Sequence, residues 1–230
     1  MSLILIIDTS NETAFVSISR NGIVLSEQIN TEQNKHAAFV HIAIQDACTA
    51  ANISLEELDA VAVVNGPGSY TGLRVGLSTA KGLCFTLHKP LILLNTLYMM
   101  GAAIRKQYLQ NNTGVNEKVL YCPLIDARRM EVFTAIYDAE LNEVLEPTAM
   151  IIDEFSFQQY YNDHQIVFGG NGTAKVENIL PDGNATYYKK TNYIAEAAYY
   201  AEKSYENSKF ENLIYSEPYY LKEFYTNTKI

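Results

Sequence analysis

The sequence predicts an α/β protein of two lobes, each built on the order strand, strand, strand, helix, strand, helix, strand, helix. Three observations carry this. The first 30 residues hold three short apolar runs separated by turn residues, with Asn21-Gly22 as a strong hairpin signal between the second and third. From His36 onward, amphipathic stretches of helical period alternate with short β-branched runs. From Val119 the same order starts again with shorter pieces. A strand meander followed by right-handed βαβ crossovers gives a mixed sheet with helices on its faces.

In order, Leu3–Asp8, Thr13–Arg20 and Ile23–Ile29 read as the first three strands. The pattern then turns helical from His36 to Ala51, with Phe39, Ile42, Ile44 and Ala47 apolar and Gln45 and Asp46 polar. Asp59–Val64 is a β-branched buried strand. The turn-rich Asn65-Gly66-Pro67-Gly68-Ser69 leads into a helix from Thr71 to His88, which Pro90 closes. Leu91–Leu94 is a strand and Leu97–Gln110 a helix. Asn111–Asn116 is polar and suits a crossing between lobes, which places the lobes at 1–110 and 111–230. In the second lobe Val119–Ile125, Glu131–Tyr137 and Glu143–Ile152 read as strands, with a turn at Asp138–Asn142. Phe155–Tyr161 is a short helix, Gln165–Phe168 a strand, Thr173–Leu180 a short helix, Thr186–Lys189 a strand and Ile194–Tyr205 a helix. Two βββαβαβα units side by side are the architecture of the actin-like, ribonuclease H-like superfamily that includes Hsp70 and the sugar kinases.

Composition narrows the function. The 230 residues are 48% hydrophobic and 19% charged, ordinary for a soluble globular chain. The opening apolar run ends at Asp8, far short of a membrane span and without the basic start of a signal peptide, so it reads as a buried strand. Net charge is −9 and no run of five basic residues occurs, which argues against direct RNA binding because nucleic-acid affinity rests on Lys and Arg neutralising phosphates. Cys48, Cys84 and Cys122 are isolated and odd in number, which fits core thiols in a reducing cytoplasm. Ten of the 17 tyrosines follow residue 186, interleaved with glutamates, so a packed or interface surface suits them better than an RNA platform.

The most specific segment is Asn65-Gly66-Pro67-Gly68-Ser69-Tyr70-Thr71-Gly72-Leu73-Arg74-Val75-Gly76. It is a strand-to-helix turn: Pro67 fixes φ, the glycines admit conformations a Cβ would block, and Ser69 or Thr71 can cap the helix. Such a turn serves either as plain helix entry or as an anion cradle, and it matches neither the P-loop nor the dinucleotide fingerprint. Gly72, Gly76 and Ala80 then recur every fourth residue. That small-residue stripe lets a second helix approach closely, or packs on the chain's own sheet.

GPGSYTGLRVG resembles the signature of the TsaB family, also called YeaZ. The Asp8-Thr9-Ser10 turn, His36 at the start of the first helix, Ile125-Asp126-Ala127-Arg128 and the closing Pro218-Tyr219-Tyr220-Leu221 also match, with Lys222 where the family usually has Arg. The likeness is strong to about residue 110 and patchy beyond. It implies a non-catalytic scaffold subunit of the tRNA adenosine N6-threonylcarbamoyltransferase complex. Such a subunit pairs as a heterodimer with TsaD, a catalytic relative of the same fold. TsaE, a small ATPase, joins the complex, and TsaC supplies threonylcarbamoyl-adenylate for the adenosine beside the anticodon. The resemblance implies contact through the first two helices, with Thr71, Gly72, Gly76 and Ala80 at the contact and His36 nearby, and a homodimer when the chain is alone.

No catalytic set of its own is visible. The TsaD-type centre holds a metal on two histidines four apart, whereas His36 and His41 are five apart and roughly 140° out of phase on a helix. His88 and His164 stand alone, and no nucleophile motif occurs. Asp8 and Asp126 open equivalent turns in the two halves, where actin-like ATPases position a magnesium-bound nucleotide. They read as such a site or as ordinary turn residues. Gly169-Gly170-Asn171-Gly172 offers either adenosine contact or a tight strand–helix turn. The expectation is no cofactor of its own, with ATP at the level of the complex. The rival reading is a small actin-like ATPase or kinase using Asp8, Asp126, Gly169 and Gly170.

Overall fold

The computed structural model describes residues 2–32, 35–112, 118–179 and 184–222. Most of the expected crossing segment Asn111–Asn116, and the end of the expected helix at Leu180, lie outside them.

The first sheet grows from a meander. Strands β1 (Leu3–Asp8), β2 (Ala14–Arg20) and β3 (Ile23–Asn30) pair antiparallel. The hairpin between β2 and β3 turns on Asn21 (φ 51°) and Gly22 (φ 75°), both left-handed, as a two-residue turn matching strand twist requires. Helix α1 (His36–Ala51) crosses to β4 (Ala60–Gly66), and α2 (Tyr70–Leu87) crosses to β5 (Leu91–Asn95). β4 lies parallel to β1 and β5 parallel to β4, giving the order β3-β2-β1-β4-β5. Helix α3 (Thr96–Asn111) follows, capped by the Asn95 side chain, which accepts from the Tyr98 N–H.

The second sheet repeats the plan. Strands β6 (Val119–Asp126), β7 (Glu131–Tyr137) and β8 (Glu143–Ile151) form its meander, followed by α4 (Gln158–Tyr161), β9 (Gln165–Gly169), α5 (Thr173–Glu177), β10 (Ala185–Tyr188) and α6 (Ile194–Glu206). Its order, β10-β9-β6-β7-β8, is the first sheet's order. The expected duplication is present, with α4 and α5 reduced to about one turn each.

The third helix of each half crosses over. α3 packs mainly on β6 and β9 of the second sheet, while α6 packs on β1, β3 and β5 of the first. One apolar core therefore joins Ile4 and Ile6 of β1, Leu97 and Met100 of α3, Tyr137 of β7 and Ala197 of α6. The other face of the first sheet is covered by α1 and α2, with Val40, Ile44, Leu77 and Ala80 against Leu5 and Ile7. Ile42 does not join that face and is 62% exposed. It sits roughly 200° around the helix from Ile44.

After α6 the chain runs back over the first lobe as an irregular strap. The Glu211 N–H donates to the Leu91 carbonyl, Lys81 Nζ donates to the Ser216 carbonyl at 3.1 Å, and the Tyr219 N–H donates to the Asn65 carbonyl at 2.8 Å. Lys222 then pairs with Glu131 of β7 at 2.6 Å.

Candidate functional site

Two places bring together the residues singled out by the sequence: the junction between the halves, and the outer face of α1 and α2.

At the junction, Asp8 ends β1 and is fully buried. One carboxylate oxygen accepts from the Ser10 N–H at 2.7 Å, a local turn bond. The other accepts from the Tyr193 hydroxyl at 2.6 Å, brought from the start of α6. The Tyr193 hydroxyl in turn accepts from Asn11 Nδ2 at 3.0 Å. Burial pushes the Asp8 carboxyl above its ordinary range, against the lowering effect of the bonds from Tyr193 and Ser10. Burial and the adjacent Asp8 hold the Tyr193 phenol well above its usual value. A cavity of about 450 Å³ lies beside this network, lined by Asn11, Phe15, Met100, Asn171, Thr191 and Tyr193 among others. Tyr193, which forms part of its wall, also takes one oxygen of the buried Asp8.

Asp126 makes the same turn at the end of β6, its carboxylate accepting from the Arg128 N–H at 2.6 Å. Its backbone N–H donates to the Asn171 side chain, which brings the 126 turn and the Gly169–Gly172 turn together. Lys175 of α5 pairs with the same carboxylate at 2.7 Å and donates to the Glu131 carbonyl. A Cβ at Gly169 would overlap the Ile104 side chain, and one at Gly170 (φ 110°) would overlap the Leu124 carbonyl and Met100. Both glycines are therefore required by close packing and backbone conformation, with no ligand needed to explain them. Among the described residues no group of three or more His, Cys, Asp or Glu side chains is placed to hold a metal ion.

The Gly66–Ser69 turn serves as helix entry. Ser69 caps α2 by accepting from the Gly72 N–H, and the Ser69 N–H donates to the Ser10 carbonyl at 2.7 Å. The Thr9 hydroxyl donates to the Gly72 carbonyl at 2.6 Å. Part of the α2 N-terminus is thus held against the 8–10 turn of the chain itself.

Of the five residues expected at a partner contact, only Thr71 is exposed. Gly72, Gly76 and Ala80 are buried on the sheet-facing side of α2, where a Cβ on Gly72 would overlap the Thr9 carbonyl and one on Gly76 would sit 2.6 Å from Thr9 Oγ1. The stripe is used for helix-on-sheet packing, which corrects the expectation that it admits a second helix from outside. His36 is also buried: its Nε2 donates to the Asn11 carbonyl at 2.9 Å and its Nδ1 accepts from Asn30 Nδ2 at 3.2 Å. Those partners assign the neutral Nε2–H tautomer. His41 points outward, as the phase between the two histidines requires.

The outward face is a shallow groove of about 520 Å³ between the helices, formed by Ala37 and His41 of α1 and by Thr71, Val75, Ser78 and Thr79 of α2, with Tyr70 and Arg74 at its rim. Sequence reasoning missed Arg74. The Arg74 guanidinium lies 4.1 Å from the Tyr70 ring centre, and its Nε donates to the Tyr220 hydroxyl at 3.0 Å. Tyr70 and Tyr220 stack with ring centres 5.2 Å apart. The strap therefore contributes directly to this face.

A family described as TsaD, tRNA N6-adenosine threonylcarbamoyltransferase, matches residues 23–223. The tRNA threonylcarbamoyladenosine biosynthesis protein TsaB of Bacillus subtilis (strain 168) is 27% identical over 182 residues, covering 78% of this chain and 75% of that protein. The TsaB of Escherichia coli (strain K12) is 30% identical over 141 residues, covering 61% of this chain and 57% of that protein. The solved structure of YeaZ from Pseudomonas aeruginosa superposes with a TM-score of 0.78 at 23% identity, covering 96% of this chain and all of the other.

Proposed function

From the premise that this chain belongs to the TsaD family, and within it to the TsaB/YeaZ group, we propose that it is a non-catalytic docking subunit in tRNA threonylcarbamoyladenosine biosynthesis. In this reading the α1/α2 face receives a TsaD-type transferase, and a TsaE-type ATPase joins the pair. The tRNA is handled by the partners, in keeping with a net charge of −9. Nucleotide dependence belongs to the assembled complex, in the cytoplasm. No helix among the described residues is long and apolar enough to cross a membrane.

One observation carries the non-catalytic part. Asp8, fully buried, commits both carboxylate oxygens within the chain, one to the Ser10 N–H and one to the Tyr193 hydroxyl, while Asp126 shares one oxygen between the Arg128 N–H and Lys175. A magnesium-bound nucleotide held by Asp8 would first have to break a buried hydrogen bond.

The test is light scattering coupled to size exclusion, on the chain alone and mixed with the TsaD-type transferase of the same genome. Calorimetric titration of the chain with MgATP accompanies it. A peak at heterodimer mass, with no saturable heat from MgATP, is the expected result. Saturable MgATP binding by the isolated chain, with no heterodimer under any nucleotide condition, would overturn the reading in favour of the small ATPase.

A further inference from the structure

Among the described residues Arg74 is the only Lys or Arg lining the α1/α2 groove, and it is unusually well placed for an exposed arginine. Tyr70 lies beneath its guanidinium and the Tyr220 hydroxyl accepts from its Nε. This fixes the orientation of a side chain that would otherwise lose rotamer freedom on binding, a cost that preorganisation removes. Tyr220 is itself held by the strap, because the neighbouring Tyr219 N–H is tied to Asn65 and Lys222 to Glu131. Yet Arg74 enters no ion pair among the described residues, although the chain carries 26 acidic side chains. Arg74 is exposed, and a guanidinium is the side chain whose planar fork matches a carboxylate.

Resting on the docking reading above, we infer that the strap completes the docking face, with Tyr220 presenting Arg74 as the receptor for a carboxylate on the partner's docking helix. The inference also selects between occupants. A partner laid along the groove covers Arg74 and has to supply a counter-charge, since a covered and unpaired cation is costly. The helices of a second copy of this chain supply none from the same face, and among the described residues its strap supplies there only the exposed Glu217. α2 contains no acidic residue and α1 contains only Asp46. Asp46 follows Ala37 by nine residues and His41 by five, which puts it roughly 180° and 140° around the helix from the groove. A two-fold pairing through this face instead brings a second Arg74. The helix pair therefore suits an acidic heterologous helix, whereas the homodimer implied by the family resemblance would have to draw its counter-charge from the strap.

The test measures two equilibria on the full chain: binding to the TsaD-type transferase of the same genome at low and high salt, and self-association by sedimentation. Arg74→Gln is expected to weaken partner binding about tenfold, the scale of one partly covered charge pair, and to flatten its salt dependence. The same change is expected to tighten self-association by removing a like-charge contact. Tyr220→Phe keeps the ring and removes the acceptor, and is expected to weaken partner binding a few-fold. A merely structural role for Arg74 would move both equilibria in one direction, so opposite movement is the signature. Wild-type binding that Arg74→Gln leaves unchanged in affinity and salt slope would overturn the inference while sparing the docking reading. Absence of wild-type binding would remove both.

Discussion

Three glycines on α2 allow the packing of that helix to be tested with a single added methyl group. A Cβ on Gly76 would lie 2.6 Å from Thr9 Oγ1 and 3.4 Å from Val63 Cγ2. The first contact is roughly 0.9 Å inside a comfortable separation of about 3.5 Å. Thr9 cannot swing aside freely, because its hydroxyl is the donor to the Gly72 carbonyl. Gly76→Ala therefore combines overpacking of about 1–3 kcal/mol with loss or distortion of a buried hydrogen bond, about 1 kcal/mol. The better helix propensity of Ala returns about 1 kcal/mol. The net is a destabilisation of about 1–3 kcal/mol. Gly82 lies on the same helix, and a Cβ there meets nothing within 4 Å. Gly82→Ala gains the propensity term alone, up to about 1 kcal/mol. Gly72→Ala should be the worst of the three, because the obstacle is the Thr9 backbone carbonyl. The assay is urea unfolding followed by circular dichroism, read as midpoints at unchanged m-value. In thermal unfolding, Gly82→Ala and Gly76→Ala should be separated by roughly 5–15 °C in a chain of this size. Gly76→Ala as stable as Gly82→Ala would refute the inward packing of the stripe and return it to the partner face.

Three further outcomes follow from the junction and the core. Tyr193→Phe leaves an Asp8 carboxylate oxygen without its donor in a fully buried site, and should cost about 1–3 kcal/mol in urea unfolding; an unchanged midpoint would mean that water reaches Asp8. Asp8 has a native pKa raised by burial, so its contribution to stability is fully present below the unfolded value of about 3.9 and is lost as pH rises through the raised value. Asp8→Asn lacks that titration, so the stability of the variant relative to wild type should improve as pH rises from the acid side toward neutrality, and a relative decline would contradict the assignment. Burial pushes the Cys84 thiol up to about 11 and the Cys122 thiol to about 12. The three buried free cysteines should therefore resist an aromatic disulfide reagent in the native chain at about pH 8 and all react once it is unfolded; rapid native reaction would show that the core opens.

The fold was legible because its elements are marked by short-range chemistry. Asn21-Gly22 fixes the first hairpin, Pro90 follows the end of α2, and the βββ start recurs at Val119, all within windows that periodicity can resolve. The exchange of α3 and α6 between the sheets was not legible, since it depends on contacts between segments far apart in sequence. For the same reason the sequence could propose Asp8 as a cofactor residue but could not show Tyr193, 185 positions away, bonded to it. The orientation of the glycine stripe was within reach. Leu73, Leu77 and Cys84 lie on the same arc of α2 as Gly72, Gly76 and Ala80, and an arc that rich in apolar groups faces the sheet. Arg74 then falls on the opposite side, about 200° from Gly72.

A docking subunit and a small ATPase of this fold would differ least in topology and most in what the chain does with its own polar groups. In the first half a buried acidic turn is closed by Tyr193, just before α6, and in the second one oxygen of the equivalent aspartate is taken by a lysine from α5. The two closures use different chemistry from different elements, so one accident of packing does not account for both. The α1/α2 face shows the reverse: Arg74 is held by the Tyr70 ring and the Tyr220 hydroxyl and has no counter-ion among the described residues, and the strap that supports it returns from beyond α6. Groups that are satisfied internally have little left to offer a ligand, whereas an oriented and unpaired cation gains most from binding. In the docking reading proposed above, the balance of satisfied and unsatisfied charge favours the helix face over the junction as the place to test first.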